Sequence, residues 1–279
     1  GGWDGDRDSL DTPPEPEVWS PVAAEASSCT GRHCPLFNQC SYFERRKQLV
    51  AAQVIVANHD LLLSSIGARL LPELDNCLLV IDEAHHLPAT ALDQFACEMD
   101  LSRLTWLDKL ASRALRIGQL VEVEEIADIP NHTARLRAAL QDLARLVMDV
   151  YGEQLRAPLP GRRSFNSSMP TRARVSGGLL PDALVEPLGQ AAHHAGGFLQ
   201  ALSAIAKALK SEMRDKPDEA RRLSQLYAQI GSLAPRLEGV HACAQLLLQD
   251  APEGAVPAAK WFTLQVEGDF IVVRAHASP

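Results

Sequence analysis

The sequence predicts an α/β fold in which a sheet-containing body is interrupted by a large helical insertion. Two short apolar runs, at 54–57 and 77–81, flank a helical segment, a pattern typical of strand–helix–strand units in a parallel sheet. From 87 to 249 apolar residues recur at steps of three and four, as they do on amphipathic helices. A hairpin pattern follows at 261–274. These three observations define an α/β body, a helical block and return strands.

Composition limits the class of protein. The chain has 279 residues, 46% hydrophobic and 22% charged, which is ordinary for globular domains and long enough for about two of them. The net charge of −8 argues against coating nucleic acid by bulk charge, but leaves room for a local basic groove. No stretch approaches the ~18 apolar residues that a membrane helix needs, so we expect no membrane association.

The first 28 residues are acidic and rich in proline. They carry seven Asp or Glu, one Arg and four Pro, which predicts a linker or loop. Residue 1 is Gly and no signal-peptide pattern follows it, so we interpret the sequence as a piece of a longer protein.

The next segment alternates helix and strand. The β-branched run at 54–57 predicts a buried strand, and Asn58 or Asp60 can cap a helix over 61–71. The run at 77–81 predicts a second buried strand. Because chemistry in parallel sheets sits at the carboxyl ends of strands, the residues after 81 are the first place to look for a site.

The helical block shows three apolar stripes, which we interpret as core packing. Their members are Leu136, Leu140, Leu143, Val147 and Val150; Phe198, Leu202, Ile205 and Leu209; and Leu223, Leu226, Ile230 and Leu233. Residues 157–181 interrupt the stripes with four prolines and a Ser-Gly-Gly turn, which predicts a mobile loop. Strands at 261–266 and 270–274, joined by 267–269, predict the hairpin.

The sharpest chemical signal is Asp82-Glu83-Ala84-His85, directly after the second predicted strand. A carboxylate at a strand's exit can hold Mg²⁺ while the ion bridges nucleotide phosphates, which suits Asp82. Glu83 can orient and deprotonate an attacking water, and His85 can sense the terminal phosphate. The alternative is that both acids merely cap a helix N-terminus.

Three of the six cysteines, Cys29, Cys34 and Cys40, follow the spacing C-x4-C-x5-C. They suggest a metal site, either zinc with His33 as a fourth ligand or an iron–sulfur cluster with a fourth thiolate from elsewhere. A coincidental group of thiols is the alternative. The other cysteines stand singly in apolar surroundings and are interpreted as core residues. They are Cys77, Cys97 and Cys243.

Two motifs are absent from the sequence. No G-x-x-x-x-G-K-[ST] phosphate loop occurs, so a nucleotide site would be incomplete and we expect this chain alone to hydrolyse ATP poorly. No H-E-x-x-H occurs, which makes a metallohydrolase using His85 and His86 a weak hypothesis. The pair His193-His194 is interpreted as packing or surface.

Two segments combine features of single-stranded nucleic-acid binding, which uses positive grooves and stacking aromatics. The first follows Cys40 and comprises Tyr42, Phe43, Arg45, Arg46 and Lys47. The second, the loop at 154–181, holds Arg156, Arg162, Arg163, Arg172 and Arg174. An ordinary solvated face and a solvent loop are the alternatives.

The segments 29–40, 54–63 and 79–88 resemble, in order and spacing over about 19–92, the DinG family of bacterial iron–sulfur DNA helicases related to XPD. The resemblance implies a P-loop helicase motor core with a partial parallel sheet, an inserted all-α arch domain and a small iron–sulfur domain. Cys29, Cys34 and Cys40 would be three of four ligands of a 4Fe–4S cluster, with the fourth outside this chain.

The same resemblance implies roles and organisation. Asp82 would bind Mg²⁺, Glu83 would activate water for hydrolysis of ATP, the substrate, and His85 would couple hydrolysis to movement. Residues 1–50 would be part of the cluster domain with the acidic linker, 51–90 part of motor domain 1, 91–255 the arch and 256–279 return strands into motor domain 1.

The implied protein is a cytoplasmic, nucleoid-associated monomer that unwinds DNA 5′→3′ in repair or replication. Its partners would be single-stranded and forked DNA. The phosphate loop and the second motor domain would lie outside this chain. The alternative function is a non-catalytic helical module with a metal site that binds DNA or a protein partner.

Overall fold

A computed structural model of the chain describes residues 5–19, 23–25, 27–68, 71–72, 75, 77–156, 170–251, 254–268 and 270–279. Within them the α-helices are α1 (Pro16–Trp19), α2 (Ser41–Ala51), α3 (His59–Ala68), α4 (Leu87–Phe95), α5 (Thr105–Leu120), α6 (Ile129–Arg156), α7 (Asp182–Asp215), α8 (Ala220–Gly231) and α9 (Ala234–Leu248). The strands are β1 (Cys97–Asp100), β2 (Thr171–Arg174), β3 (Ala259–Glu267) and β4 (Phe270–Ser278).

The chain divides into two compact units. One comprises Gly1–Gln94 with Lys207–Ser232, and the other comprises Phe95–Ala206 with Leu233–Pro279. No helix among the described residues is both long and apolar enough to cross a membrane.

The second unit contains a four-stranded antiparallel sheet of order β1-β4-β3-β2. The central pair, β3 and β4, is the predicted hairpin, and both strands are longer than predicted. Gly268 sits at the turn with a φ of +62°, a left-handed conformation that glycine adopts without steric cost. Asp269, the last residue of the predicted turn, lies outside the described residues.

One face of this sheet packs on α6 and α9. Phe262 of β3 is fully buried, and its ring centroid lies 5.2 Å from that of Tyr151 on α6. The stripe predicted on α6 is buried from Leu136 to Val147, whereas Val150 is exposed. Burial of whole side-chain faces, rather than helix propensity, therefore stabilises these long helices.

In the first unit, the segment that leads into the clustered cysteines packs against α8. A side chain on Gly231 would place its Cβ 2.1 Å from the carbonyl oxygen of Ser27, so only glycine permits this close approach. Thr30 is buried, and its hydroxyl lies 3.5 Å from that of Ser224 on α8. The residues on either side of Cys29, Ser27 and Thr30, therefore both lie against α8.

The prediction of two buried strands is wrong for the described residues. Residues 54–57 and 77–81 are not in strands, and their side chains face solvent, with Val56 93% and Leu78 91% exposed. The sheet among the described residues is antiparallel and excludes both runs. An apolar run forms a strand only where a neighbouring strand pairs with it, and none of the described segments does so here.

Other local predictions have mixed outcomes. Asn58 caps α3 as predicted, accepting a 2.8 Å bond at its Oδ1 from the amide of Leu61, although α3 begins at His59. Cys77 is exposed and is therefore not a core residue, whereas Cys243 is buried. His194 is buried and His193 exposed, as packing and surface residues.

The predicted loop at 157–181 is wrong in its second half. Residues 171–174 form β2, and Ser176–Gly178 form a short 3-10 helix. Residues 157–169, which include Arg162 and Arg163, lie outside the described residues. The strand was missed because Thr-Arg-Ala-Arg carries little strand propensity of its own and pairs only with the distant β3.

Candidate functional site

The acidic motif lies between the apolar run at 77–81 and a helix. Asp82 and Glu83 precede a 3-10 turn, Ala84–His86, which continues into α4. The Asp82 carboxylate accepts a 3.0 Å hydrogen bond at Oδ1 from the amide of Glu83. Glu83 itself adopts φ 47° and ψ 43°, a left-handed conformation that is uncommon for a residue with a side chain and is concentrated at functional sites.

A residue outside the motif contacts it. His59, at the start of α3, lies with its Nε2 3.1 Å from the backbone carbonyl of Asp82. This contact brings the segment after 54–57 against the segment after 77–81, although neither run forms a strand among the described residues. Sequence reasoning assigned His59 no role, because a single histidine at a helix start carries no distinguishing signal.

Three potential metal ligands meet at the start of α4. The Glu83 carboxylate lies 3.2 Å from Nδ1 of His85, and the rings of His85 and His86 lie 3.9 Å apart. Among the described residues these are the only group of three such side chains whose ligand atoms lie within 4.8 Å of one another. The pair Glu83–His85 is about two-thirds exposed, so its contribution to stability is small.

Asp82 does not belong to that group. One carboxylate and two imidazoles suit a borderline cation such as Zn²⁺, whereas Mg²⁺ prefers oxygen ligands and retains several waters. The Asp82 carboxylate is exposed and has one oxygen without a hydrogen bond among the described residues. Its chemistry therefore fits a Mg²⁺ site that is completed by water and nucleotide phosphates.

The three clustered cysteines are free thiols, partly accessible to solvent. Two 3-10 turns, Gly31–His33 and Phe37–Gln39, separate them, and Sγ of Cys29 accepts a 3.4 Å contact from the amide of Gly31. They form no group within the 4.8 Å limit just given for the described residues. A single zinc ion requires such closeness, whereas a four-iron cluster presents a different iron to each thiolate. Thiolates are ligands of both kinds of centre.

The helix after Cys40 separates its aromatic and basic residues. Phe43 packs on Phe37, with ring centroids 4.5 Å apart, and Tyr42 lies against Phe43 at 5.2 Å. Arg45 and Lys47 are exposed, and Lys47 pairs with Glu44 at 2.5 Å. The aromatics of α2 therefore pack beside the cysteine segment, while two of its basic residues face solvent.

The sheet carries a second concentration of polar groups on the face that α6 and α9 leave uncovered. We call it the polar face. Its relevant residues are Glu98, Asp100, Arg172, Arg174, Trp261, Thr263, Glu267, Arg274 and His276.

His276 is the central group of the polar face. Its Nε2 lies 2.8 Å from the hydroxyl of Thr263, and its ring stacks on Trp261 with centroids 5.2 Å apart. Burial, and then the positive charges of Arg172 and Arg274, lower the pKa of His276 to about 4. The imidazole is therefore neutral at neutral pH. Sequence reasoning missed this residue because its environment is assembled from four strands.

A comparison with protein families finds a match to the region of the chain that contains the candidate sites. Residues 30–104 match the family model DEAD_2. The matched span contains Cys34, Cys40 and the acidic motif, whereas Cys29 lies just before it.

Similarity to particular proteins extends over nearly the whole chain. The ATP-dependent DNA helicase DinG of Photobacterium profundum is 30% identical over 278 residues, which cover 98% of this chain and 38% of that protein. DinG of Escherichia coli K12 is 26% identical over 270 residues, or 94% of this chain and 36% of that protein. The resemblance to DinG helicases is therefore confirmed, and this chain spans little more than a third of the length of these relatives.

Proposed function

We propose that this chain is the part of a DinG-type ATP-dependent DNA helicase that carries the water-activating acidic motif and the cluster-binding cysteines. The observation that supports this most directly is the similarity to DinG over 94–98% of the chain, in a region that includes the DEAD_2 match at 30–104. Coupling of ATP hydrolysis to single-stranded DNA translocation and 5′→3′ unwinding follows from this assignment.

In this proposal Asp82 holds Mg²⁺, which when bound polarises the phosphates of ATP. Glu83 accepts a proton from the attacking water, a role worth about 10²–10⁴ in rate. His85, with its Nδ1 3.2 Å from the Glu83 carboxylate, orients that carboxylate and transmits the state of the nucleotide. His59 holds the backbone of Asp82 in place through the 3.1 Å contact to its carbonyl.

The cysteines complete a structural centre in the same proposal. Cys29, Cys34 and Cys40 supply three thiolates to a 4Fe–4S cluster, and the fourth ligand lies outside this sequence. In this proposal the packing of residues 27–30 against α8 positions Cys29 as one of these ligands.

The proposed organisation follows the resemblance. Residues 1–50 belong to the cluster domain, 51–90 to motor domain 1, 91–255 to the arch and 256–279 to the return strands of motor domain 1. The phosphate loop and the second motor domain lie outside this chain, so the chain alone is inactive. The protein acts as a cytoplasmic, nucleoid-associated monomer on single-stranded and forked DNA.

The helix α2 is the proposed DNA contact nearest to the cluster. Arg45 and Lys47 are exposed and supply positive charge, whereas Tyr42 and Phe43 pack beside Phe37 and fix the helix. Arg46 lies between the two groups, with its guanidinium 3.5 Å from the hydroxyl of Tyr42.

The test is Glu83→Gln in the full-length protein that contains this chain, with the exposed Glu238→Gln on α9 as a matched control. We expect Glu83→Gln to bind ATP normally, to lose at least 100-fold (about two orders of magnitude) of its DNA-stimulated hydrolysis, and to stop unwinding. The control keeps both activities. Unwinding that survives Glu83→Gln would refute the role given to this residue.

The same preparation separates the proposal from the alternative, a non-catalytic metal-site module. A protein purified without oxygen that is brown and hydrolyses ATP faster with single-stranded DNA supports the helicase. A colourless protein that contains zinc and hydrolyses no ATP supports the module. The similarity to proteins named DNA helicases favours the first outcome.

A further inference from the structure

An edge strand of the sheet presents two arginines on one surface. In β2 the side chains alternate, so Thr171 and Ala173 are buried while Arg172 and Arg174 are exposed. Both arginines therefore lie on the polar face, about 6.7 Å apart along the strand, twice the rise per residue. Because β2 pairs only with β3 among the described strands, its other edge borders no strand of that sheet.

Arg172 is held in a fixed orientation. Its guanidinium carbon lies 5.3 Å from the ring centroid of Trp261, an arrangement that permits cation–π attraction. The Trp261 indole is in turn stacked on His276, with an angle of 2° between the ring planes. A guanidinium that rests on an aromatic surface keeps its N–H edge available for a ligand, at little cost in side-chain entropy.

The two arginines of β2 differ from the other arginines on or beside the polar face. Arg103 lies 2.8 Å from both Asp100 and Glu267, and Arg274 lies 2.7 Å from Glu267. Within the part of the chain that the structure describes, neither Arg172 nor Arg174 forms an ion pair. Two uncompensated positive charges therefore stand together on a chain of net charge −8.

We propose that Arg172 and Arg174 form a contact site for the phosphate backbone of single-stranded DNA, with Trp261 orienting Arg172. This inference rests on the proposed helicase function and extends its DNA contacts to the second compact unit. Guanidinium groups match phosphate oxygens in a bidentate geometry, and paired cations beside aromatic rings are typical of single-strand grooves.

The experiment measures binding of a fluorescent single-stranded oligonucleotide by anisotropy, over a series of salt concentrations, with the full-length protein. The test variant is Arg172→Ala/Arg174→Ala. The matched control is Arg137→Ala/Arg145→Ala on α6, which removes the same charge from arginines that already pair with Asp108 and Asp142. Circular dichroism and the melting temperature establish that both variants are folded.

Loss of two phosphate contacts should reduce the slope of log K against log salt by about 1.4, at about 0.7 per contact for single strands. With the affinity extrapolated to 1 M salt unchanged, binding at 0.1 M salt becomes about 25-fold weaker. The control should keep the wild-type slope, and Trp261→Leu should weaken binding by less than the double variant does.

Two results would overturn the inference while leaving the helicase assignment intact. One is that Arg172→Ala/Arg174→Ala keeps the wild-type slope of log K against log salt, although the unmodified protein binds DNA and DNA stimulates its ATP hydrolysis. The other is that the double variant loses more affinity for duplex DNA than for the single strand. If the unmodified protein neither binds single strands nor shows stimulated hydrolysis, the proposed function itself fails, and this inference fails with it.

Discussion

Replacing His276 by Gln tests the electrostatics of the polar face. The side chain is only 13% exposed, and burial lowers its pKa to about 4 from an ordinary value of 6.5. The folded state therefore binds fewer protons than the unfolded state between these two values. The stability that this group contributes is complete above pH 6.5 and is lost as the pH falls towards 4.

The magnitude follows from the two pKa values. The whole interval between them corresponds to about 3 kcal/mol of unfolding free energy, at 1.36 kcal/mol for each pH unit. Between pH 7 and pH 5 the linkage relation gives a loss of about 2 kcal/mol from His276. Gln cannot be protonated, so the variant should lose about 2 kcal/mol less than the wild type over that range.

Urea denaturation followed by far-UV circular dichroism at pH 7, 6 and 5 measures this difference, because contributions common to both proteins cancel. Gln265→Ala, on the same face of β3, is the control that removes no titratable group. The Glu98 carboxylate lies 3.4 Å from Nδ1 of His276 and favours the protonated ring, but it is 64% exposed and is screened by solvent. A wild type that loses less stability than His276→Gln would show that Glu98 dominates, and would refute the reasoning.

Two further predictions concern the core and the cysteines. Phe262→Ala should lower the free energy of unfolding by about 3–5 kcal/mol, whereas Phe270→Ala, 70% exposed on the paired strand, should change it by less than about 0.5 kcal/mol in the same titration. Equal effects would contradict the packing described for β3. Cys34→Ser in the full-length protein should lose bound iron and make residues 27–40 sensitive to proteolysis, with the exposed Cys77→Ser as the control. Full iron content in Cys34→Ser would remove Cys34 from the ligand set.

Features set by local periodicity could be predicted from the sequence. Leu136, Leu140 and Leu143 recur at helical spacing and are buried on α6, because the helix repeat alone decides which residues share a face. The hairpin of β3 and β4 was predicted because its strands are neighbours in sequence. The resemblance to DinG was predicted from motif order and was confirmed.

Features that depend on distant partners could not be predicted. The strands β1 and β2 have four residues each and exist through pairing with β4 and β3. The apolar run at 54–57 was wrongly predicted as a buried strand because its composition says nothing about whether a partner strand is present. The contact of His59 with Asp82 joins residues 23 positions apart, and no spacing rule links them.

The solvent-exposed apolar runs at 54–57 and 77–81 have a practical consequence for purification of the chain. Val54, Val56, Leu78 and Val80 are each at least 80% exposed, and β-branched segments of this kind readily pair with copies of themselves. Purified alone, the 279-residue chain should aggregate as its concentration rises. Adding charged residues beside these runs, or expressing the chain with a solubilising fusion, would counter this tendency.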